Sequence, residues 1–172
     1  MANRIRISTI GASAAAGNPG TGAEAVKRMI AHWQGRFAQV LPDRPDLILV
    51  PECCDRYPAH SLPQRQEYYA YRAHQVGDYF ASVARDHRCY VGYPAVRLLP
   101  DGTWRNSLEL FDRGGRSLGF YDKNYPVTTE ITEGGILAGR TAPLFECDFG
   151  RVGGAICFDL NFDGIRGQYV RS

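Results

Sequence analysis

Three reactive side chains stand at points where a strand-like apolar run gives way to polar sequence. They are the carboxylate of Glu52, the amine of Lys123 and the thiol of Cys157. Ligand sites in open α/β sheets gather at strand ends, because a side chain can leave the core there while the backbone stays fixed. Brought together, the three could form a nucleophilic site: the carboxylate accepts the thiol proton, while the ammonium lowers the thiol pKa and stabilises negative charge.

Each of these residues also has an ordinary structural interpretation. A cysteine within Ala-Ile-Cys-Phe is typical of a buried apolar position, and a charged residue at a strand end is typical of solvated surface. Two features favour a site around Cys157. Gly153 and Gly154 precede it in a predicted strand, where glycine weakens packing unless a ligand or backbone approaches closely. Asp159 and Asn161 follow it, and residue types and spacing alone leave both interpretations open.

Composition and charge exclude several classes of function. The 172 residues are 44% hydrophobic, and 20 basic and 18 acidic residues give a formal net charge of +2 without any basic block. We therefore expect no nucleic-acid or membrane partner, and no apolar run is long enough to span a bilayer. Because the N-terminus lacks a secretory signal and the five cysteines are odd in number, we expect a cytoplasmic protein with reduced thiols. Neither C-x-x-C nor H-x-x-x-H occurs, so no metal site is predicted.

Hydrophobic periodicity predicts alternating strands and helices in the first half of the chain. Arg4–Ile10 alternates polar and apolar residues, and the proline-bounded run Pro45–Pro51 is apolar, so both are predicted strands. Between them, Gly11–Gly22 is a small-residue loop that lacks the G-K-[ST] ending of a phosphate-binding loop. Thr21 and Glu24 fit a capping box. The helix that this box opens has an apolar stripe at Ala25, Met29, Trp33 and Phe37.

Strands dominate the second half of the chain. A polar, proline-containing stretch from Cys53 to about Glu67 is predicted to be irregular, and a second helix follows with Val76 and Phe80 on its apolar face. Further strands are predicted over Cys89–Tyr93, Ser107–Phe111, Leu118–Asp122, Phe145–Asp148 and Arg151–Cys157. This order predicts a mixed α/β sheet with helices on its outer face and a second layer against the other face.

The segments around the three reactive residues resemble the nitrilase, or carbon–nitrogen hydrolase, superfamily. They read Leu-Val-Pro-Glu52, Tyr-Asp-Lys123-Asn-Tyr-Pro and Gly-Arg-Val-Gly-Gly-Ala-Ile-Cys157-Phe-Asp, in the order and with the approximate spacing of that family. The resemblance extends from Ile5 to the end of the chain. It implies the α/β fold of the family, an α-β-β-α sandwich in which two sheets stack and helices cover the outside.

The resemblance also implies roles for individual residues. Glu52 would be the base, Cys157 the nucleophile, and Lys123 together with the backbone N–H of Phe158 the oxyanion stabilisers. The second glutamate of the family corresponds to Glu130, which would orient the lysine; Glu133 is a less favoured substitute. No cofactor is implied, and the substrate would be a small-molecule amide, carbamoyl compound or nitrile.

Chain length is the main departure from the family. Family members continue well beyond the cysteine, whereas this sequence ends fifteen residues after Cys157. We therefore expect residues 1–172 to form one hydrolase domain that is incomplete at the C-terminus, exposes sheet surface and is weakly active or inactive. The full-length form is expected to be a homo-oligomer.

Two alternatives to this interpretation stay open. One is a truncated, non-catalytic homologue that acts as a binding or scaffold protein. The other is a cysteine–histidine hydrolase, although none of the four histidines follows a predicted strand. The histidines are His32, His60, His74 and His87.

Overall fold

The computed structural model describes residues 4–11, 15 and 19–170. Part of the predicted small-residue loop, residues 12–14 and 16–18, lies outside the described residues. The helices are α1 (Gly22–Val40), α2 (Leu62–Arg72), α3 (Gln75–His87), α4 (Thr128–Thr132) and α5 (Asp163–Val170). The strands are β1 (Ile7–Thr9), β2 (Leu47–Leu49), β3 (Tyr90–Leu98), β4 (Trp104–Phe111), β5 (Ser117–Asp122), β6 (Leu144–Cys147) and β7 (Gly150–Gly153). Short 3-10 turns cover Leu41–Asp43 and Cys157–Asn161.

The main sheet has five strands in the order β1-β2-β3-β4-β5. The pairs β1–β2 and β2–β3 are parallel, because helices lie between those strands in the chain. The pairs β3–β4 and β4–β5 are antiparallel and are joined by tight turns. A separate two-stranded sheet consists of the antiparallel pair β6–β7.

One face of the main sheet packs against the helices. The predicted stripe of α1 is buried there, and the rings of Trp33 and Phe37 lie 5.3 and 5.0 Å from the ring of Phe80 on α3. Phe80 in turn lies 4.7 Å from the ring of Tyr93 on β3. These aromatic contacts, at the separations favoured for ring pairs, hold α1 and α3 to the sheet.

The opposite face of the main sheet packs against the second sheet. Leu47, Leu110 and Tyr121 from the main sheet are buried with Phe145 of β6 and Ile165 of α5. The layers follow the order helices, main sheet, second sheet and α5. This order confirms the predicted α/β fold class of the sandwich type. None of the described helices combines the length and apolarity needed to cross a membrane.

Two local predictions at helix ends were wrong. α1 does begin after Thr21, but the Thr21 side chain makes no capping hydrogen bond, and Glu24 pairs with Arg28 at 2.8 Å instead. The stretch predicted to be irregular up to Glu67 contains the start of α2. Its signal was present in the sequence, since the backbone N–H of Ser61 donates to Oε1 of Gln64 at 2.8 Å in a capping box.

A buried ion pair ties the turn after β2 to α2 and β3. Asp55 and Arg72 are 0% and 2% exposed, and Nη1 of Arg72 lies 3.0 Å from Oδ2 of Asp55. The hydroxyl of Tyr93 donates to the same carboxylate oxygen at 2.6 Å. The turn that follows Glu52 is thereby anchored to two elements of the core.

Replacing Asp55 by alanine should destabilise the fold, because Arg72 would remain buried without its counter-ion. We expect Asp55→Ala to lower the free energy of unfolding by about 3–5 kcal/mol, measured by urea denaturation. Asp86→Ala is the matched control, since its pair with Arg85 is about 60% exposed and should leave the midpoint unchanged. Equal midpoints for the two variants would contradict the structural role of the buried pair.

Candidate active site

Sheet topology brings the reactive residues to one edge. Glu52 lies there three residues after the end of β2, and Lys123 lies there directly after β5. β4 runs antiparallel to both β3 and β5, so it reaches the same edge at its beginning and places Asn106 between the other two. Two of the predicted site residues therefore meet because both follow the carboxyl ends of their strands.

The Lys123 ammonium is buried between two carboxylates. Nζ lies 2.7 Å from Oε1 of Glu52 and 2.7 Å from Oε2 of Glu130, and the lysine side chain is 1% exposed. Burial alone would lower the pKa of this amine, but the hydrogen bonds to Glu130 and Glu52 outweigh burial and raise the pKa above its usual value. Lys123 is therefore a fixed positive charge.

Asn106 completes the cluster and was missed from the sequence. Its Nδ2 donates to Oε1 of Glu52 and to Oε1 of Glu130, both at 2.7 Å, and the residue is 1% exposed. An amide has no charge, so it bridges the two carboxylates without competing with the ammonium. Its neighbours in β4, Arg105 and Ser107, are also polar, so the residue types there did not single out Asn106.

Glu130 reaches the cluster from the first turn of α4. Its Oε2 accepts a hydrogen bond from the backbone N–H of Val127 at 2.8 Å in addition to that from Lys123. Burial opposes its ionisation, yet the hydrogen bonds from Lys123, Val127 and Asn106 hold the pKa of Glu130 below its usual value. Glu133, the less favoured substitute, is exposed and makes none of these contacts.

Cys157 stands on a sharp turn, not at the end of a strand. The predicted strand Arg151–Cys157 ends at Gly153, and Cys157 begins the 3-10 turn with φ of +48°. This left-handed conformation is uncommon for a residue with a side chain and persists only where the surroundings enforce it. The turn leaves Cys157 exposed.

A buried carboxylate holds the turn in place. Oδ2 of Asp159 accepts hydrogen bonds from the Tyr121 hydroxyl at 2.6 Å and from the backbone N–H of Ile156 at 2.9 Å. Oδ1 accepts from the backbone N–H of Tyr125 at 2.8 Å. Asp159 therefore joins the turn of Cys157 to the segments on both sides of Lys123, which fixes the thiol relative to the ammonium.

The two glycines before Cys157 are required by tyrosine rings. A Cβ on Gly153 would lie 2.7 Å from the ring of Tyr169, and a Cβ on Gly154 would lie 2.8 Å from Tyr121. The Tyr169 hydroxyl also donates to the carbonyl of Gly154 at 2.6 Å and accepts from its N–H at 2.9 Å. From the sequence we expected a ligand or backbone to approach these glycines closely. The groups that do so are the tyrosine side chains of Tyr169 and Tyr121.

The thiol of Cys157 is protonated at neutral pH. Burial, the negative charge of Glu52 and a hydrogen bond from the thiol to Glu52 raise its pKa, and the opposing effects of Lys123 and the Phe158 N–H are weaker. Lys123 does lower this pKa, as expected from the sequence, but burial and Glu52 outweigh its effect. The arrangement places a neutral thiol against the Glu52 carboxylate, while the charge of Lys123 and the backbone N–H of Phe158 favour the ionised sulfur.

The other candidate ligands and bases lie elsewhere. His32 belongs to α1, His60 packs between the rings of Tyr57 and Tyr68, and no histidine is among the groups that shift the pKa of Cys157. Within residues 4–11, 15 and 19–170, no group of three or more potential ligand side chains is arranged to hold a metal ion.

Comparison with known proteins identifies one family. The model of the carbon–nitrogen hydrolase family matches residues 12–170. Similar solved structures include a carbon–nitrogen hydrolase from Helicobacter pylori G27 (TM-score 0.79, 16% identity), an amidase from Nesterenkonia sp. (0.75, 18%) and Saccharomyces cerevisiae Nit3 of the nitrilase superfamily (0.73, 16%). Comparison with curated protein sequences gives no match.

The three structural matches cover nearly all of this chain but only part of the other proteins. They cover 98%, 96% and 97% of this chain, and 56%, 60% and 60% of the respective neighbours. The chain thus spans somewhat more than half the length of these relatives.

Replacing Lys123 should destabilise the fold strongly, because two carboxylates would face each other without a counter-ion. We expect Lys123→Met to lower the free energy of unfolding by about 3–5 kcal/mol near neutral pH in urea denaturation. Lys27→Met, which removes the only other lysine from an exposed site on α1, should leave stability unchanged.

The loss caused by Lys123→Met should also depend on pH. The pKa of Glu130 is lowered in the folded parent, so the stability it contributes is present above its unfolded pKa and is lost as the pH falls. The difference between parent and variant should therefore shrink towards roughly pH 4. A difference that grows on acidification would contradict the proposed charge arrangement.

Removing the negative charge of Glu52 should make Cys157 more reactive towards alkylation. We expect Glu52→Gln to lower the thiol pKa and to accelerate iodoacetamide labelling of Cys157 about threefold or more near pH 8, measured by peptide mass spectrometry. Cys147 is the internal control, because burial raises its pKa to about 11 in surroundings remote from Glu52. Slower labelling of Cys157 in the variant would show that Glu52 does not hold its thiol in the protonated form.

Proposed function

The chain belongs to the carbon–nitrogen hydrolase family, and on that premise we propose that it cleaves a non-peptide C–N bond through a thioester on Cys157. The observation that supports this proposal is the Glu52–Lys123–Glu130 cluster, whose first carboxylate accepts a hydrogen bond from the Cys157 thiol. The substrate is a small amide, a carbamoyl compound or a nitrile. The proposed reaction uses groups of the protein and a water molecule, without a cofactor.

In the first step the thiol proton moves to Glu52 while sulfur attacks the substrate carbon. Asn106 and Lys123 both bind Oε1 of Glu52, which leaves Oε2 for the proton. The new S–C bond places negative charge on the substrate oxygen, or on the nitrogen of a nitrile. The Lys123 ammonium and the Phe158 N–H, which both act on the Cys157 sulfur, are placed to stabilise that charge.

In the second step the C–N bond of an amide breaks and Glu52 returns its proton to the departing ammonia or amine. The resulting thioester is then attacked by water, whose proton goes to Glu52 as the new C–O bond forms. Cleavage of the S–C bond then restores the thiol, because the departing sulfur takes that proton back from Glu52. Glu130 keeps Lys123 oriented and, as part of the cluster, contacts the reacting group or the attacking water.

One observation favours a second candidate function, that of a non-catalytic binding or scaffold protein. Phe158 and Leu160, which lie on the proposed nucleophile's own turn, are 38% and 65% exposed. Apolar side chains exposed together are typical of a surface that another segment or protein covers. This candidate keeps the geometry of the cluster but needs no turnover.

Ammonia release from a panel of small amides, carbamoyl compounds and nitriles separates the two candidates. If the chain is a hydrolase, Cys157→Ala should abolish release, and the parent should accumulate a mass-detectable acyl adduct on the Cys157 peptide. Cys147→Ala is the matched control and should retain the parent rate. Turnover that survives in Cys157→Ala would exclude the thioester mechanism, and a parent without turnover on any compound would favour the scaffold.

A further inference from the structure

A second polar network lies directly behind the Lys123 cluster, on the helix face of the main sheet. Successive residues of a strand point to opposite faces. Asn106 is on the face of β4 where Leu108 packs towards the second sheet, so its neighbour Ser107 is on the helix face. Asp122 is paired with Ser107 across β4 and β5 and shares that face, while Lys123 follows it in the chain. The sheet thus separates the two networks by one residue.

Arg97 of β3 joins Ser107 to Asp122. Its Nε donates to Oγ of Ser107 at 2.8 Å, and its Nη2 donates to Oδ1 and Oδ2 of Asp122 at 2.9 and 3.2 Å. The Ser107 hydroxyl donates to Oδ1 of Asp122 at 2.6 Å, which closes the ring of contacts. A planar guanidinium fixes both the direction and the distance of the groups it binds. Arg97 therefore locks β4 to β5 at the edge of the sheet that carries the cluster.

Arg97 is itself held in place by an aromatic ring. Its guanidinium carbon lies 4.0 Å from the ring centroid of Phe120 on β5, a cation–π contact. The helices do not close over this part of the sheet, since Arg97 and Ser107 line a cavity of about 510 Å³. The hydrogen bonds of Arg97 therefore contribute here what a packed helix supplies elsewhere on the sheet.

The path from this network to the reactive groups is short. Ser107 directly follows Asn106, and Asp122 directly precedes Lys123. The backbone N–H of Lys123 also donates to the carbonyl of Asn106 at 2.8 Å. A displacement of Ser107 or Asp122 on the helix face must therefore displace the amide or the ammonium on the other face.

We propose that Arg97 is a positioning residue for the Lys123 cluster. It touches no reacting atom and acts through Ser107 and Asp122, whose fixed positions set the ammonium and the Asn106 amide against the carboxylates. For catalysis this inference rests on the proposed function. The placement of the ammonium can nevertheless be measured whether or not the chain turns over a substrate.

Proton exchange at the Lys123 ammonium tests the inference without turnover. Lys27 and Lys123 are the two lysines of the chain, so labelling of lysine with ¹⁵N gives ammonium signals that NMR can assign. A buried ammonium exchanges its protons with water when a local opening exposes it. We expect Arg97→Gln to accelerate exchange at Lys123 at least about fivefold more than at the reference described next.

The internal reference is the indole N–H of Trp33. This group is buried in the helix layer and donates to the carbonyl of Cys54 at 3.1 Å, so it reports opening of the fold as a whole. A merely structural role of Arg97 would accelerate exchange at Trp33 and at Lys123 by the same factor.

Three further variants make the result specific. Arg97→Lys keeps the charge without the planar fork, so it should also accelerate exchange at Lys123. Ser107→Ala removes one hydroxyl from the network and should do the same to a smaller extent, including where Arg97→Gln does not fold. Arg105→Gln is the matched control, because Arg105 is paired with Arg97 across β3 and β4 but binds Thr103 and the carbonyl of Trp104 instead. It should leave the exchange at Lys123 unchanged.

Steady-state kinetics extend the test to the reaction. On a compound that the parent hydrolyses, Arg97→Gln should lower kcat about tenfold or more and change KM less than about twofold, because misplaced groups fail chiefly in the transition state. Arg105→Gln should retain the kcat and KM of the parent.

The outcomes separate this inference from the proposed function. The positioning role would be overturned if exchange at Lys123 followed that at Trp33 in the folded Arg97 and Ser107 variants, or if Arg105→Gln had the same effect. An unchanged kcat in a variant with selectively accelerated exchange would overturn the part of Arg97 in the reaction. Selective acceleration in a chain that hydrolyses no compound would support the positioning of Lys123 and count against the hydrolase.

Discussion

The burial of one ammonium group constrains the whole site end of the fold. Removing the Lys123 charge from water costs several kcal/mol, and only well-placed counter-ions and hydrogen bonds offset that cost. Glu52 and Glu130 provide them at 2.7 Å each, from the end of β2 and the first turn of α4. The strand order, the short α4 and the Asn106 bridge are all needed to bring these two carboxylates to the same nitrogen.

A second buried carboxylate, that of Asp159, fixes the position of the Cys157 thiol relative to the Lys123 cluster. Asp159 lies on the turn of Cys157, yet its hydrogen bonds reach Tyr121 before Lys123 and Tyr125 after it. Because the buried Asp159 carboxylate accepts three hydrogen bonds, neither the turn of Cys157 nor the end of β5 can move without breaking some of them. The strained φ of Cys157 is maintained by this network.

The sequence alone was enough to predict the site residues that directly follow strands. It was not enough to predict those that reach the site only through the arrangement of strands and helices in the fold. Glu52 and Lys123 were recognisable because a reactive side chain ends an apolar run, whereas the position of Glu130 came only from the family resemblance. Asn106 reaches the site from the start of β4, so an analysis restricted to residues after the carboxyl ends of strands misses it. The net sign of the Cys157 pKa shift depends first on the burial of the thiol and then on the relative positions of Glu52 and Lys123, and all of these are properties of the folded chain.

The protonation states fixed by the structure determine how the proposed reaction must begin. Lys123 has a raised pKa and stays charged, while the raised pKa of Cys157 keeps its thiol neutral. The resting site therefore lacks the preformed thiolate of a cysteine paired with an imidazolium. Attack on the substrate must coincide with proton transfer to Glu52, so a substrate that is not positioned against the lysine meets an unreactive thiol. In the proposed reaction, the same buried ammonium that organises the fold thus makes reactivity conditional on correct substrate binding.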